Sequence, residues 1–351
     1  MTLELIEVRK AFDGFELGPV DLNIDNEVLA ILGPSGSGKT TLLRLIAGIS
    51  SLSGGAIRLG GRTLDSLSPE DRNMGMVFQD GALFPHMTVR QNIAYAAAAP
   101  DRVLALAERL EVTALLDRKP KTLSGGEYRR VALARTLATE PSALLLDEPL
   151  SSLDRPIQTR LLEMLHLLFD ELDIPVLYVT HDQRTAMALG NRIVIINDGV
   201  IEQIGSPTAI ISRPRNRFIA HFTSNENCFD AHVADWTDAG AVLQIGEVRL
   251  GTTAQQLQQT QVTACMHPSR IAISAPGAPT AERVNALSGR LIRHLFQGNE
   301  YRVHIDIDAA PLTFAVTVHP IVFDRLSLEN RSAVQVLIPF ESIHVISDRP
   351  A

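Results

Sequence analysis

Apolar and polar residues alternate with a period of two at the start of the chain, in Leu3-Glu4-Leu5-Ile6-Glu7-Val8 and from Phe15-Glu16-Leu17 through Val20-Asp21-Leu22-Asn23-Ile24. The pattern predicts two half-exposed strands joined by a turn at Asp13-Gly14, set against the strand that follows. Later apolar stretches are continuous: Val28 to Leu32, Leu144-Leu145-Leu146 and Pro175-Val176-Leu177-Tyr178-Val179. Runs without alternation fit strands of a parallel sheet covered on both faces. Between them, Asn92 to Ala99 and Asp101 to Leu110 are rich in Ala and Leu at helical spacing, with breaks at Pro100 and Pro120. They predict a helical insert over about 88–140. A long amphipathic helix is expected from about Ile157 to Leu172, and a hairpin about Asn197-Asp198-Gly199. Beyond Asn225 alternation returns, as in Tyr301 to Asp308 and Val334 to Ile338, predicting short strands and a small β-barrel. The expected organisation is an α/β domain over 1–222 and an all-β domain over 223–351, with 207–222 as linker.

The stretch between the strand at Val28 and a helix-compatible segment from Thr41 carries the first chemistry. Gly33-Pro34-Ser35-Gly36-Ser37-Gly38-Lys39-Thr40 fits G-x-x-x-x-G-K-[ST], a phosphate-binding loop. Glycines there let backbone N–H groups turn onto an anion, and the helix start adds partial positive charge. Lys39 is expected to reach the β- and γ-phosphates and the Thr40 hydroxyl to ligate Mg²⁺.

Other polar residues stand where strands or loops would deliver them to the same edge. Asn73 to Gln79 reads as a strand ending on Gln79, at the carboxyl end where open α/β sheets bind ligands. Asp147 and Glu148 close the Leu144 run, one suited to orient Mg²⁺ and the other to polarise a water. The next buried strand delivers His181 and Asp182. Leu123-Ser124-Gly125-Gly126-Glu127 precedes a helix that Ser124 can cap, making a second anion-binding amino terminus. Phe12 can stack on a nucleotide base.

Composition narrows the class. At 351 residues the chain exceeds a single ordinary core, and no apolar run approaches 18 residues. Met1-Thr2-Leu3-Glu4-Leu5 lacks the features of a signal peptide, so a cytoplasmic site is expected. Cys228 and Cys265 show no metal-ligand spacing and are expected as packed thiols in a reducing compartment. A net charge of −8 argues against nucleic acid as a partner. The tail has few aromatics and no basic stripe, which argues the same way.

Taken together, the glycine loop, Gln79, the Leu-Ser-Gly-Gly segment, the Leu144 to Glu148 strand, Ser152-Leu153-Asp154 and His181 resemble the ATP-binding-cassette (ABC) ATPases over residues 1 to about 222. The combination of Leu-Ser-Gly-Gly with Leu-Leu-Leu-Asp-Glu-Pro about 20 residues later carries the specificity. The resemblance implies a P-loop NTPase cassette with a helical subdomain, and a head-to-tail homodimer burying two ATP with Mg²⁺. Ser124, Gly125 and Gly126 of one subunit would cover the γ-phosphate on the loop of the other. By position, Phe12 would stack on adenine and Gln79 would link Mg²⁺ to the membrane partner. Glu148 would be the general base and His181 the γ-phosphate contact. Gly33, Ser35, Gly36, Ser37, Gly38, Lys39, Thr40, Thr41 and Asp154 would complete the nucleotide site, with Thr40, Gln79 and Asp147 on the metal. Phe12 and Glu127 stand where Tyr and Gln are commoner, and the insert is short for the family.

The tail resembles the C-terminal regulatory β domains (TOBE or Mop type, OB-like) of import ATPases. Met266-His267-Pro268-Ser269-Arg270-Ile271 is similar to a strand entry found there. Val284-Asn285-Ala286-Leu287-Ser288-Gly289, followed by Arg290 and Arg293, is loosely similar to a molybdate-binding segment. The implied function is the ATP-hydrolysing subunit of an ABC importer on the cytoplasmic face of the inner membrane. It would be held by separate permease subunits and served indirectly by an extracytoplasmic solute-binding protein. Molybdate or tungstate is the first expectation for cargo, with sulfate, ferric iron, polyamine or sugar behind. A soluble ABC ATPase of DNA repair or translation is the alternative.

Overall fold

The computed structural model describes residues 1–95, 97, 99–151, 153–257, 259–329 and 333–347. Ser152 therefore lies outside the described residues. Two compact units divide the chain, Met1–Pro207 and Thr208–Ala351.

The centre of the first unit is a six-stranded sheet in the order Val200–Gly205, Arg192–Asn197, Val28–Leu32, Val176–Val179, Ala143–Asp147, Met74–Val77. All neighbours are parallel except the first pair, which is the expected hairpin. Alternation across the two faces explains the unbroken apolar runs. Leu144 and Leu146 pack with Val89, Leu106, Val131 and Leu161 of the helices, while Leu145 packs on the other face with Leu3, Val8, Leu42 and Ile57. That second face is covered by the helix Lys39–Ile46 and by an antiparallel sheet in the order Phe15–Ile24, Leu3–Phe12, Gly54–Leu59, Arg62–Thr63. The helical insert forms as Val89–Ala94, Asp101–Arg109 and Gly125–Leu137, with short 3₁₀ turns between.

The second unit is all-β apart from short helices. One five-stranded sheet runs Val248–Gly251, Gly240–Ile245, Asn227–Thr237, Gln261–Met266, His344–Ile346; the other runs Ala272–Ser274, Ala333–Pro339, Val284–Phe296, Tyr301–Ile307, Thr313–Val318. The edge strands Ala272–Ser274 and Thr313–Val318 of the second sheet come against each other, so that sheet curls as a barrel does. Both sheets share one core, including Leu243, Ala264, Ile305, Phe314 and Val336.

Three sequence expectations change here. The unit boundary falls at Pro207 rather than 222, because the linker folds into helices Pro207–Ser212 and Arg217–Phe222 that pack within the second unit. Arg217 bonds Thr263 and pairs with Asp230, and Ala220 packs on Cys265 and Ile346. Cys228 and Cys265 are disulfide-bonded, not packed thiols, since pairing of Asn227–Thr237 with Gln261–Met266 sets them directly opposite one another. Val284 to Gly289 does not precede the strand that carries Arg290 and Arg293 but belongs to it. It opens the strand Val284–Phe296 and is registered against Ala333–Pro339, with Arg290 and Arg293 exposed.

Candidate nucleotide site

Parallel register brings the carboxyl ends of four strands to one edge. Val77 is level with Leu146, Asp147 with Val179, and Ile31 with Val179. The segments leaving these strands begin at Gly33, Phe78, Glu148 and Thr180, which is how residues more than a hundred positions apart share a site.

The phosphate loop is shaped by contacts only glycine permits. At Gly33 a Cβ would lie 2.1 Å from the Ile196 carbonyl oxygen. Gly38, at φ 103°, caps the helix Lys39–Ile46, and a Cβ there would approach Leu17 to 2.9 Å. Lys39 is buried, its Nζ donating to the carbonyls of Gly33 at 2.9 Å and Pro34 at 2.8 Å. Burial pulls its pKa below the usual lysine range, against the opposing pull of Glu148 and Asp147. The hydroxyl of Ser37 is buried with no hydrogen-bond partner among the described residues. A buried hydroxyl without partner, beside an ammonium and a helix start, is what a phosphate oxygen would satisfy.

The Thr40 hydroxyl donates to Asp147 Oδ1 at 3.0 Å. Asp147 is 5% exposed, and burial pushes its carboxyl above the ordinary range despite the Thr40 bond. Two hard oxygen donors this close suit Mg²⁺, which takes one or two protein carboxylates or hydroxyls and fills its octahedron with phosphate and water. Gln79 lies two residues beyond the strand Met74–Val77, in an exposed turn, so the strand is shorter than the sequence suggested.

Glu148 adopts a left-handed backbone, φ 47°, while its N–H still donates to the Val179 carbonyl. Its Oε1 is 2.8 Å from His181 Nδ1. Asp182 caps the helix Gln183–Leu189 and is held by the Gln158 side chain at 3.1 Å. Phe12 is the last residue of its strand, half-exposed, with the Lys10 ammonium 5.5 Å from its ring. Asp154 is the exposed residue before the helix Arg155–Asp170, and Ser35, Gly36 and Thr41 line the loop and first helical turn.

Ser124 caps Gly125–Leu137 in a full capping box, its hydroxyl accepting from the Glu127 N–H and the Glu127 carboxylate accepting from the Ser124 N–H. That backbone bond is the main reason the Glu127 carboxyl lies below the ordinary range. Because the box uses Ser124 Oγ as acceptor, its hydroxyl proton is left to be donated elsewhere.

Sequence reasoning missed the ties between this helix and the segment after Gln79. The Leu83 N–H donates to the Tyr128 hydroxyl at 3.0 Å, Arg129 to the Phe78 carbonyl at 3.3 Å, and Arg135 to the Ala82 carbonyl at 2.9 Å. The signal available was Tyr128, Arg129 and Arg135, large polar side chains on the helix that follows the Ser-Gly-Gly segment.

Residues 17–151 match the ABC transporter family. Similar proteins include the sn-glycerol-3-phosphate import ATP-binding protein UgpC 3 of Rhizobium etli, 35% identical over 93% of this chain and 90% of its own length. The chain belongs to the ABC transporter family. The sulfate/thiosulfate import ATP-binding protein CysA 1 of Shewanella oneidensis is 41% identical over 69% of each chain. The dimeric ATP-binding cassette MJ0796, in a post-hydrolysis state bound to ADP and Pi, superposes with a TM-score of 0.52. It is 30% identical and covers 58% of this chain and 98% of that one. This ABC protein therefore binds and hydrolyses ATP. Phe12, Asp154 and His181 lie outside the matched residues 17–151.

Proposed function

We propose that this ABC ATPase drives import, working as a head-to-tail homodimer on permease subunits at the cytoplasmic membrane face. The observation that carries the chemistry is the pairing of Thr40 with Asp147 beside the pairing of Glu148 with His181, both at one sheet edge. Lys39 and the loop amides bind the phosphates, with Phe12 against the adenine. Mg²⁺ would be held by Thr40, Asp147 and Gln79, where it would neutralise charge on the β- and γ-phosphates. Glu148 accepts a proton from the attacking water. His181, exposed and bonded to Glu148, fixes that carboxylate and reaches the γ-phosphate. Ser124, Gly125 and Gly126 of one subunit, with Asp154, close over the nucleotide of the other.

The import reading draws support from the relatives, both named for import. A DNA-repair or translation role draws none from them. For cargo, the relatives favour a phosphorylated polyol or sulfate over molybdate or tungstate. An extracytoplasmic solute-binding protein would deliver that cargo.

Mixing Ser124→Arg with Lys39→Ala subunits tests the shared site. Each variant alone should be inactive and the mixture active, because the heterodimer keeps one loop facing one intact Ser-Gly-Gly segment. A mixture as inactive as its components would reject the head-to-tail arrangement. Uptake of labelled glycerol 3-phosphate, sulfate and molybdate by cells expressing the complete transporter then separates the cargoes.

A further inference from the structure

The corner that carries His181 is held from outside its own strand and helix. His181 stands between the strand Val176–Val179 and the helix Gln183–Leu189, with its side chain 60% exposed. Among the described residues Glu148 is the hydrogen-bond partner of its ring. The aim of an imidazole so placed depends on the backbone beneath it. Its neighbours pin that backbone locally: the Asp182 N–H donates to Thr180 Oγ1 at 3.0 Å, and Thr185 Oγ1 donates to the Asp182 carbonyl at 2.9 Å.

The Asp182 carboxylate reaches further. Its Oδ1 accepts from the Arg184 N–H at 2.9 Å, which already serves the helix start. Its Oδ2 accepts from Gln158 Nε2 at 3.1 Å, a donor 24 residues away on another helix. Gln158 lies in the first turn of Arg155–Asp170, where its N–H donates to the Asp154 carbonyl at 2.9 Å, so the side chain starts from fixed backbone. Of residues 154–160 it alone is not exposed. An ionised carboxylate only accepts, so the amide must turn its NH₂ to Asp182 and the bond has one direction. The cap needs one oxygen of Asp182; the second bond adds a restraint from the side, next to His181.

We propose that Gln158 is a positioning residue for ATP hydrolysis: by holding Asp182 Oδ2 it fixes the corner 180–182, and with it the His181 ring, on Glu148. Resting on the reading of His181 as the γ-phosphate contact, this role needs neither the cargo nor the dimer proposed above. A reacting group misplaced by about 1 Å can lose roughly a hundredfold in rate, so a single lateral bond at this corner is enough to matter.

ATP turnover and melting temperature of the full-length protein, measured for Gln158→Ala, His181→Ala and the double variant, test it. Gln158→Ala should lower kcat about tenfold with KM for ATP held within about twofold, and should have no further effect once His181 is replaced. A side chain that only supports the fold would act by the same factor in both backgrounds and would show in the melting temperature. An exchange of partners gives an independent check. Gln158→Glu sets two carboxylates together and should lower kcat at least as far as alanine does. Adding Asp182→Asn restores a donor facing an acceptor, in reverse, while the asparagine oxygen still accepts the Arg184 N–H, and should recover most of the loss. Where His181→Ala leaves too little turnover to compare, the exchange decides alone. Normal kcat in Gln158→Ala, equal factors in the two backgrounds, or no recovery in the exchange would overturn the role of Gln158. Normal turnover in His181→Ala would instead overturn the reading of His181, and this role with it.

Discussion

His181 Nδ1 lies 2.8 Å from Glu148 Oε1, although the two residues leave different strands. The register that levels Asp147 with Val179 makes this contact, and it ties the orientation of the proposed base to the γ-phosphate contact. Glu148→Gln should keep ATP binding and lose turnover by about 10²–10⁴-fold, as expected for removal of a general base. Phosphate release and nucleotide binding measured on the same preparation check this; near-normal turnover would reject the role of Glu148.

Asp147 gives a pH prediction. Burial raises its folded-state pKa above the unfolded value, so its protonated form favours folding. That stabilisation is complete below the unfolded pKa and disappears as pH rises through the folded one. Asp147→Asn imitates the protonated state, so at neutral pH it should raise the melting temperature of the first unit by about 2–4 °C. The gain should vanish toward acidic pH, while Mg²⁺-dependent ATP binding falls. A variant less stable than wild type at pH 7 would contradict the assignment.

At Gly33 the obstacle is backbone, since the added methyl would meet the Ile196 carbonyl at 2.1 Å. Gly33→Ala should therefore cost about 2–4 kcal/mol in stability and abolish nucleotide binding, because neither strand can yield without breaking the sheet. Denaturant unfolding gives the first quantity and fluorescent-nucleotide titration the second. An alanine variant that binds ATP normally would show that the loop adapts.

Removing the hydroxyl that Tyr128 offers to the Leu83 N–H isolates the tie between the helix Gly125–Leu137 and the segment after Gln79. Tyr128→Phe should destabilise by about 1–3 kcal/mol, the penalty for a partly buried donor left unpaired. Hydrogen exchange should quicken over residues 78–84 in particular. Unchanged exchange there would show that Arg129 and Arg135 hold the segment alone.

The parts legible in the sequence were those in which one short stretch carries its own physics. Gly33 to Thr40 encodes a turn, an anion nest and a helix start within eight residues, and Leu144 to Glu148 a buried strand with its polar exit. Ser124 announced a capped helix, and the structure adds Glu127 as the other half of the box. What was not legible depends on pairing. Nothing local to Cys228 or Cys265 says that two strands 37 residues apart set them opposite each other. Nothing local to Val284 to Gly289 says that it is already strand, which its pairing with Ala333–Pro339 makes it. Likewise Arg217, read as linker, is committed to the second unit by Thr263 and Asp230.

The left-handed backbone at Glu148 sets the stability of the fold against its chemistry. A non-glycine residue held there costs about 1–3 kcal/mol, and Asn or Asp would bear it more easily than Glu. The chain keeps the longer carboxylate, whose extra methylene spans the gap to His181 while the amide stays on Val179. Glu148→Gly should therefore make the subunit harder to unfold and unable to turn over.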